Sequence, residues 1–311
     1  MSTPGRPKGE SLSAQREGSP VSAQREGSPV SAQREGSPVS AQRENGPSTA
    51  VRDAHVPGAV LLAAESVSRR FGGLVAVDQE SLQLVRGAVH AVIGTNGAGK
   101  STLINVLSGE LAPTGGRVTL LGADATRWSQ PRRAQAGLGR SYQRTTIFPT
   151  FTVRENCRLA AQARLQRPWA IGSAAKSCTT STAAADAALE RAGLTAEAAR
   201  IAGALSHGAK RQLEIAMCLA TAPQVLLLDE PLAGMGAEET DRMLLLLARL
   251  KDGHAILLVE HDMDAVFRIA DRITVMVNGK VIASDAPAAI RASAEVQTAY
   301  LGEAAAATDG H

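Results

Sequence analysis

Short apolar runs alternate with helical patterns along most of the chain beyond residue 60. The runs at 88–93, 225–228 and 255–259 are apolar almost throughout, which is typical of parallel strands that are covered on both faces. The segment 238–250 instead has the pattern of a helix. Strands that alternate with helices in this way predict an α/β fold built on a mainly parallel sheet.

Other segments refine this prediction. Residues 60–93 indicate the strands of a small sheet. Residues 150–204 are rich in Ala, Arg, Gln and Leu and predict helices, with a loop of small polar residues at 173–185. Near the C-terminus, Asn278 and Gly279 stand between two apolar runs, a pattern typical of a type I′ hairpin. The predicted architecture is therefore an α/β core with a helical insertion in its middle.

The first fifty residues have a different composition. The pentapeptide Ser-Ala-Gln-Arg-Glu occurs four times with a nine-residue period, and the stretch contains no aromatic residue. Such a segment cannot bury enough apolar surface to offset the entropy lost on ordering. We therefore predict a disordered repeat region at 1–55, one folded domain at 60–305 and a short tail at 306–311.

Composition and charge narrow the functional classes. No apolar run reaches about 18 residues, so we predict no membrane-spanning helix, and the N-terminus lacks the apolar core of a secretory signal. Cys157, Cys178 and Cys218 show no metal-binding spacing, which is typical of a reducing compartment. The net charge of +3 is too small to indicate a nucleic-acid partner by itself.

The most specific chemistry lies at 94–101, where the chain reads Gly-Thr-Asn-Gly-Ala-Gly-Lys-Ser. This fits the phosphate-binding pattern G-x-x-x-x-G-K-[ST], between a predicted strand and a predicted helix. Glycines let successive backbone N–H groups face phosphate oxygens, Lys100 can reach the β- and γ-phosphates, and the Ser101 hydroxyl can bind Mg²⁺. The predicted nucleotide-binding residues here are Gly94, Asn96, Gly97, Gly99, Lys100, Ser101 and Thr102.

Two adjacent carboxylates follow the predicted strand at 225–228. Asp229 could hold Mg²⁺ directly or through water, whereas Glu230 can polarise an attacking water molecule. The alternative is a solvated Asp-Glu turn without a chemical role. The phosphate-binding loop earlier in the chain favours the metal and base roles.

Residues 205–212, Leu-Ser-His-Gly-Ala-Lys-Arg-Gln, precede another predicted helix. Ser206 is a favourable N-cap residue. Alternatively, Ser206, Gly208 and the helix N-terminus form a second anion site. Because the phosphate loop already holds its own phosphates, such a site would serve a nucleotide on another subunit. Composition leaves these two interpretations open.

The order of these motifs resembles the ATP-binding cassette (ABC) ATPases over about residues 60–303. The resemblance implies a P-loop ABC-type core, with a mainly parallel sheet, an antiparallel β subdomain and a helical subdomain inserted at about 144–222. His207 and Ala209 differ from the commonest Gly and Gln of the family signature. The resemblance also assigns catalytic roles to Glu230, His261 and Gln143, Mg²⁺ binding to Ser101, Gln143 and Asp229, and adenine stacking to Phe71.

The same resemblance implies a mechanism that needs two ATPase subunits. They would sandwich two ATP molecules head to tail, each between Lys100 of one subunit and Ser206 of the other. The second subunit would be homologous, and the sequence leaves open whether it is identical. ATP and Mg²⁺ are the implied cofactors, and closure of the dimer would assemble the hydrolytic site.

About 60 residues separate Gln143 from Ser206, too few for a long coiled-coil arm, and the chain holds one cassette. These features favour a transporter subunit over a soluble ABC ATPase that acts on nucleic acid or ribosomes, which stays the alternative. A closer resemblance is to the ATP-binding subunits of bacterial branched-chain amino acid importers. The segments that carry this resemblance are 71–76, 144–156, 230–235 and 299–303.

This closer resemblance implies two transmembrane permease subunits, an indirect periplasmic binding protein and a peripheral location on the cytoplasmic face of the inner membrane. No nucleic-acid partner is expected. Branched-chain amino acids, amides and urea stay open as substrates. Residues 127–167 hold nine arginines and one acid, Glu155, which predict a basic face that is either simply solvated or placed near permease and anionic lipid.

Overall fold

The computed structural model describes residues 58–165 and 179–299. The predicted repeat region at 1–55 and the predicted tail at 306–311 lie outside the described residues. Strands β1 to β10 span, in chain order, Val60–Phe71, Leu74–Val85, Val89–Gly94, Gly115–Leu120, Ala123–Asp124, Leu138–Arg140, Val225–Asp229, Ala255–Val259, Arg272–Val277 and Lys280–Asp285. Helices α1 to α8 span Lys100–Ser108, Gln130–Ala136, Val153–Leu165, Thr179–Ala192, His207–Ala220, Ala237–Lys251, Met263–Ile269 and Pro287–Ala292.

A six-stranded sheet with the order β10-β9-β3-β8-β7-β6 forms the centre of the domain. All neighbours in it are parallel except β9 and β10. Every residue of β3, β7 and β8 is buried, which explains why these strands lack polar alternation. Because β3, β7 and β8 are parallel, the loops after Gly94, Asp229 and Val259 leave the same edge of the sheet, where α/β proteins bind their ligands.

A second, antiparallel sheet has the order β2-β1-β4-β5. Helix α1 lies between the two sheets and shares one apolar core with both. Leu62 and Leu84 reach this core from the antiparallel sheet, Ile104 and Leu107 from α1, and Leu227 from the parallel sheet. The antiparallel sheet and the parallel sheet therefore both pack against α1.

Helices α3, α4 and α5 pack together within the predicted insertion. Small buried side chains, including Ala161, Ala185 and Ala188, let these helices approach closely. The loop predicted at 173–185 is wrong from Thr179 onward, where α4 begins. The high helix propensity of alanine and packing against α3 and α5 outweigh the loop preference of the Ser and Thr residues there.

The arginines between 127 and 167 do not form one basic face. Arg133 and Arg158 are buried, with 1% and 5% exposure. Arg154 is paired with a carboxylate of α4, and Arg167 lies outside the described residues. The prediction of a basic face at 127–167 is therefore wrong for Arg133 and Arg158, because their charge lies inside the protein.

Arg133 instead closes the C-terminal end of α1. Its guanidinium donates to the carbonyl oxygens of Val106 and Leu107 at the end of that helix, and to those of Ala125 and Thr126. Burial lowers the pKa of Arg133 to about 10, so the side chain stays charged at neutral pH. A buried cation at a helix C-terminus interacts favourably with the helix dipole.

We expect Arg133→Met to lower the free energy of unfolding by about 3 kcal/mol, because several buried carbonyl groups lose their donor. The matched control is Arg132→Met. Arg132 is exposed on the same helix and stacks 4.3 Å from the ring centroid of Trp128, so its loss should cost under about 1 kcal/mol. Urea unfolding measures both, and equal losses would contradict the structural role of Arg133.

Candidate nucleotide site

One cavity of about 430 Å³ opens at the carboxyl edge of the parallel sheet. It brings together most of the residues predicted to bind nucleotide, although they come from distant parts of the chain. The predicted residues on its wall are Phe71, Asn96, Gly97, Gly99, Lys100, Ser101, Thr102, Gln143 and Glu230. Gly94, Asp229, His261, Ser206 and Gly208 are not on this wall.

The phosphate loop depends on two glycines at close backbone contacts. A Cβ atom at Gly99 would lie 2.3 Å from the carbonyl oxygen of Ala76. A Cβ atom at Gly94 would lie 2.2 Å from the carbonyl oxygen of Met276. Since no side chain fits at these distances, both positions need glycine.

A hairpin turn far along the chain supports the same loop. The N–H of Gly279 donates to Ala98 O at 3.0 Å, and the N–H of Asp78 donates to Gly279 O at 2.9 Å. Asn278 and Gly279 both have positive φ, 50° and 81°, as a type I′ turn requires. The phosphate loop is therefore held by strand β2 on one side and by the β9–β10 turn on the other.

Lys100 is the first residue of α1 and is buried. Its Nζ donates to Gly94 O at 2.5 Å and to Thr95 O at 2.8 Å. These contacts curl the loop around the ammonium group at the N-terminus of the helix. The ammonium charge and the N–H groups of the first helical turn together suit an anion with the geometry of a phosphate.

Asp229 ends strand β7 and is buried. Burial raises the pKa of its carboxyl group, and the positive charge of Arg140 opposes this, with Arg140 Nη2 3.9 Å from Asp229 Oδ2. The next residue, Glu230, has φ 49°, which is rare for a residue with a side chain. This left-handed step turns Glu230 away from Asp229 and onto the cavity wall.

Gln143 bridges to Glu230 across the cavity. Its Nε2 donates to Glu230 Oε2 at 3.0 Å. The Ser101 hydroxyl, the Gln143 amide oxygen and the Asp229 carboxylate are the hard oxygen donors that Mg²⁺ prefers. The described residues contain no group of three or more His, Cys, Asp or Glu that could hold a metal ion by themselves.

His261 is exposed in the loop after β8, outside the cavity wall. The buried carboxylate of Glu260 lies behind it and joins two loops. Glu260 Oε1 accepts from the N–H of Leu232 at 2.8 Å, and Oε2 accepts from the N–H of His261 at 3.3 Å. Burial raises the pKa of Glu260 to about 7, against the lowering effect of these two N–H groups.

The raised pKa of Glu260 predicts a pH-dependent stability. The folded protein holds this proton more tightly than the unfolded chain, so the contribution is complete below pH 4.5 and is lost as pH rises through about 7. We expect wild type to lose about 3 kcal/mol between pH 4.5 and 8 relative to Glu260→Gln, which cannot titrate. Urea unfolding across this range measures the difference. Glu238→Gln, at an exposed position of α6, is the control, and parallel curves for wild type and Glu260→Gln would contradict the assignment.

Ser206 and Gly208 lie in a separate small pocket at the N-terminus of α5, with Gln212, Glu239 and Arg242. Ser206 caps the helix, since its Oγ accepts from the N–H of Ala209 at 3.2 Å. The same hydroxyl donates to Glu239 Oε1 at 3.0 Å. In the described chain the two predicted phosphate sites therefore belong to different surfaces.

His207, which replaces the commonest glycine of the family signature, also has a structural role. Its Nε2 lies 2.9 Å from Ala233 O, a distance that fits an N–H donor on the ring. Ala233 follows Glu230 in the loop after β7. The residue that replaces glycine in the signature therefore connects the start of α5 to the loop that carries Glu230.

Comparisons with known proteins show the family of this chain. The family model described as "ABC transporter" matches residues 77–233. The chain belongs to the ABC transporter family. A second model, described as "Branched-chain amino acid ATP-binding cassette transporter", matches residues 280–306, of which those beyond 299 lie outside the described residues.

Relatives in the ABC transporter family align over almost their whole length. The chain is 41% identical over 251 residues to the high-affinity branched-chain amino acid transport ATP-binding protein LivG of Salmonella typhimurium, covering 78% of this chain and 98% of LivG. It is 38% identical to the corresponding protein BraF of Pseudomonas aeruginosa, with the same coverage. The chain is thus an ATP-binding ATPase subunit that is coupled to transport.

Solved structures support the predicted ABC-type fold. A nucleotide-free ATP-binding cassette from an ABC transporter is 29% identical with a TM-score of 0.71, covering 78% of this chain and 99% of that one. The ADP conformation of another ABC transporter cassette is 28% identical with a TM-score of 0.68 over the same shares. The predicted α/β fold class is confirmed. In the ranges 58–165 and 179–299, no helix is long and apolar enough to cross a bilayer.

Sequence reasoning missed several buried polar residues around this ABC ATPase site. Arg140 donates to Asn105 Oδ1 at 2.5 Å and to Glu110 Oε2 at 2.7 Å, which fixes its charge near Asp229. Asn156 is fully buried and bonds to both backbone groups of Phe148. No spacing rule marks such residues, because their partners are backbone or side-chain groups that only the fold brings near.

Proposed function

We propose that this chain is the ATP-hydrolysing subunit of an importer for branched-chain amino acids or related amides. The observation that carries the proposal is the cavity that places Lys100, Ser101, Gln143 and Glu230 around one volume, in a chain similar to LivG over 98% of the length of LivG. The match of residues 280–306 to the branched-chain amino acid model supports the substrate class.

In this proposal each residue around the cavity has one task. The phosphate loop and Lys100 bind the phosphates of ATP, and Phe71, 43% exposed at the rim, stacks on adenine. Glu230 accepts a proton from the attacking water, and His261 contacts the γ-phosphate. Ser101, Gln143 and Asp229 would hold Mg²⁺, which when bound neutralises charge on the phosphates.

We further propose a head-to-tail dimer with a homologous ATPase subunit. The separation of the Ser206 pocket from the cavity supports this, because one chain then supplies only half of each complete site. Closure would carry Ser206 and Gly208 onto the ATP that is held by the partner. Whether the partner is a second copy or a different homologous chain is open in this proposal.

The surface next to Gln143 supports contact with two membrane permeases. Phe148 and Phe151 stack with their ring centroids 5.6 Å apart, yet they are 50% and 41% exposed, close to the 47% exposed Ile201. An exposed aromatic pair held in place by buried Asn156 suits a partner surface. The proposed location is the cytoplasmic face of the inner membrane, with a periplasmic binding protein acting indirectly through the permeases.

Uptake into membrane vesicles tests the proposal. The chain would be co-expressed with the permease and binding-protein genes of its own organism, and ATP-dependent accumulation of labelled leucine would be measured. We expect uptake that depends on this chain and is reduced by excess unlabelled isoleucine. Competition by acetamide or urea instead would place the substrate among the amides. ATP hydrolysis stimulated by RNA, without any uptake, would support the soluble alternative and contradict the proposal.

A further inference from the structure

A buried ion pair lies within helix α5, which begins directly after Ser206. The side chains of Arg211 and Glu214 are 6% and 3% exposed, and Arg211 Nη1 is 2.9 Å from Glu214 Oε2. Neither residue lines the nucleotide cavity. An ion pair in the interior is costly to desolvate, so the other bonds that it makes matter for its role.

Those other bonds all reach the loop that carries Gln143. Arg211 Nη1 donates to Tyr142 O at 2.9 Å, and Nη2 donates to Gln143 O at 2.5 Å. Glu214 Oε1 accepts from the N–H of Thr146 at 2.6 Å. Three backbone groups of one short loop are therefore fixed to one helix through charge-assisted hydrogen bonds, which are stronger than neutral ones.

The two ends of this connection have different tasks in the proposed function. Gln143 faces the cavity that holds this chain's own nucleotide. Ser206 and Gly208, at the N-terminus of the same helix, would face the nucleotide of the partner subunit. A rigid connection between the loop and α5 would therefore couple two nucleotides that are bound in different cavities.

We propose that Arg211 and Glu214 are positioning residues that lock the Gln143 loop to α5, so that Gln143 and Ser206 move together. The part of this inference that concerns the partner's nucleotide rests on the proposed dimer. When nucleotide displaces Gln143 from Glu230, the lock moves the Ser206 surface of the same chain. The state of one ATP site is thereby passed to the other.

Arginine is needed because its two terminal nitrogens bond to different carbonyl groups. A lysine at this position keeps the charge beside Glu214 but presents a single ammonium group, which cannot reproduce the fork. Arg211→Lys therefore tests the lock while the ion pair is retained. Glu214→Gln is the second variant, since its amide oxygen can still accept from Thr146 while its charge beside Arg211 is lost.

Hydrogen exchange of the isolated full-length chain, with and without ATP, tests the lock directly. In wild type we expect ATP to change the exchange rates of both the 142–146 loop and the 206–211 segment, by about tenfold. In Arg211→Lys and Glu214→Gln the loop should still respond, whereas the response of 206–211 should fall to under about twofold. An undiminished response of 206–211 in both variants would overturn the proposal.

The control is Arg268→Lys, because Arg268 forms an exposed ion pair with Asp241 between α7 and α6. It should respond to ATP as wild type does. This experiment needs only ATP binding, so it distinguishes a failure of the lock from a failure of the proposed import function.

Steady-state hydrolysis in the assembled transporter supplies a second readout. We expect Arg211→Lys to lower kcat about tenfold, with KM for ATP changed less than about threefold, because binding at the phosphate loop is retained. In a Gln143→Ala background the same substitution should have little further effect, since both changes act through one loop. Independent, multiplicative effects of the two substitutions would overturn the assignment.

Discussion

Glu230→Gln is expected to slow ATP hydrolysis about 1,000-fold, because a positioned general base contributes on the order of 10² to 10⁴ in rate. The amide keeps the shape of the side chain and can still bond to Gln143, so ATP should bind with unchanged affinity. The left-handed backbone at Glu230, φ 49°, is a strained conformation of the kind that accumulates at functional sites. Phosphate release from the assembled transporter measures the rate.

Bound ATP should then persist in the Glu230→Gln protein, and the dimer should stay closed on a sizing column. Glu238→Gln provides the control, since Glu238 has a 90% exposed side chain on α6. It should hydrolyse ATP at the wild-type rate. Rapid turnover by Glu230→Gln would assign the base to another residue.

Lys100→Ala is expected to weaken ATP binding about 100-fold, since a charge-assisted contact to a phosphate is worth about 3 kcal/mol in a sheltered site. The substitution also removes the donor that curls the backbone around Gly94 O and Thr95 O. The phosphate loop would thus lose both a ligand and part of its own shape. Titration calorimetry with a non-hydrolysable ATP analogue measures the affinity.

Lys251→Ala is the control, because it removes a lysine that lies away from the phosphate loop. Lys251 pairs with Asp271 at 3.0 Å and is partly exposed, so its removal should change stability slightly and affinity not at all. Wild-type affinity in Lys100→Ala would mean that the nucleotide does not use the phosphate loop.

Short sequence patterns predicted those parts of the structure that are determined by interactions within a few residues. The glycines of the phosphate loop, the fully apolar strands and the Asn278–Gly279 turn each follow from backbone rules that act within a few residues. The structure has Phe71 and Glu230 on one cavity wall. The roles proposed for these residues stay predictions until the variants are measured.

Long-range packing decided the parts that sequence reasoning did not reach. Helix α4 forms where small polar residues predicted a loop, because its alanines are buried against neighbouring helices. Arg133, Arg211 and Glu260 act through backbone groups of distant segments. A charged residue of this kind has the same appearance in the sequence as one on the surface, which is why the predicted basic face was wrong.

The turn at Asn278 and Gly279 also sets an order of events during translation. Gly279 supports Ala98, a residue that leaves the ribosome about 180 residues earlier in the chain. The nascent phosphate loop therefore emerges without one of its two walls. We expect a growing chain to remain unable to hold nucleotide until the hairpin of β9 and β10 has been made, so that ATP binding follows the synthesis of residues far beyond the phosphate loop itself.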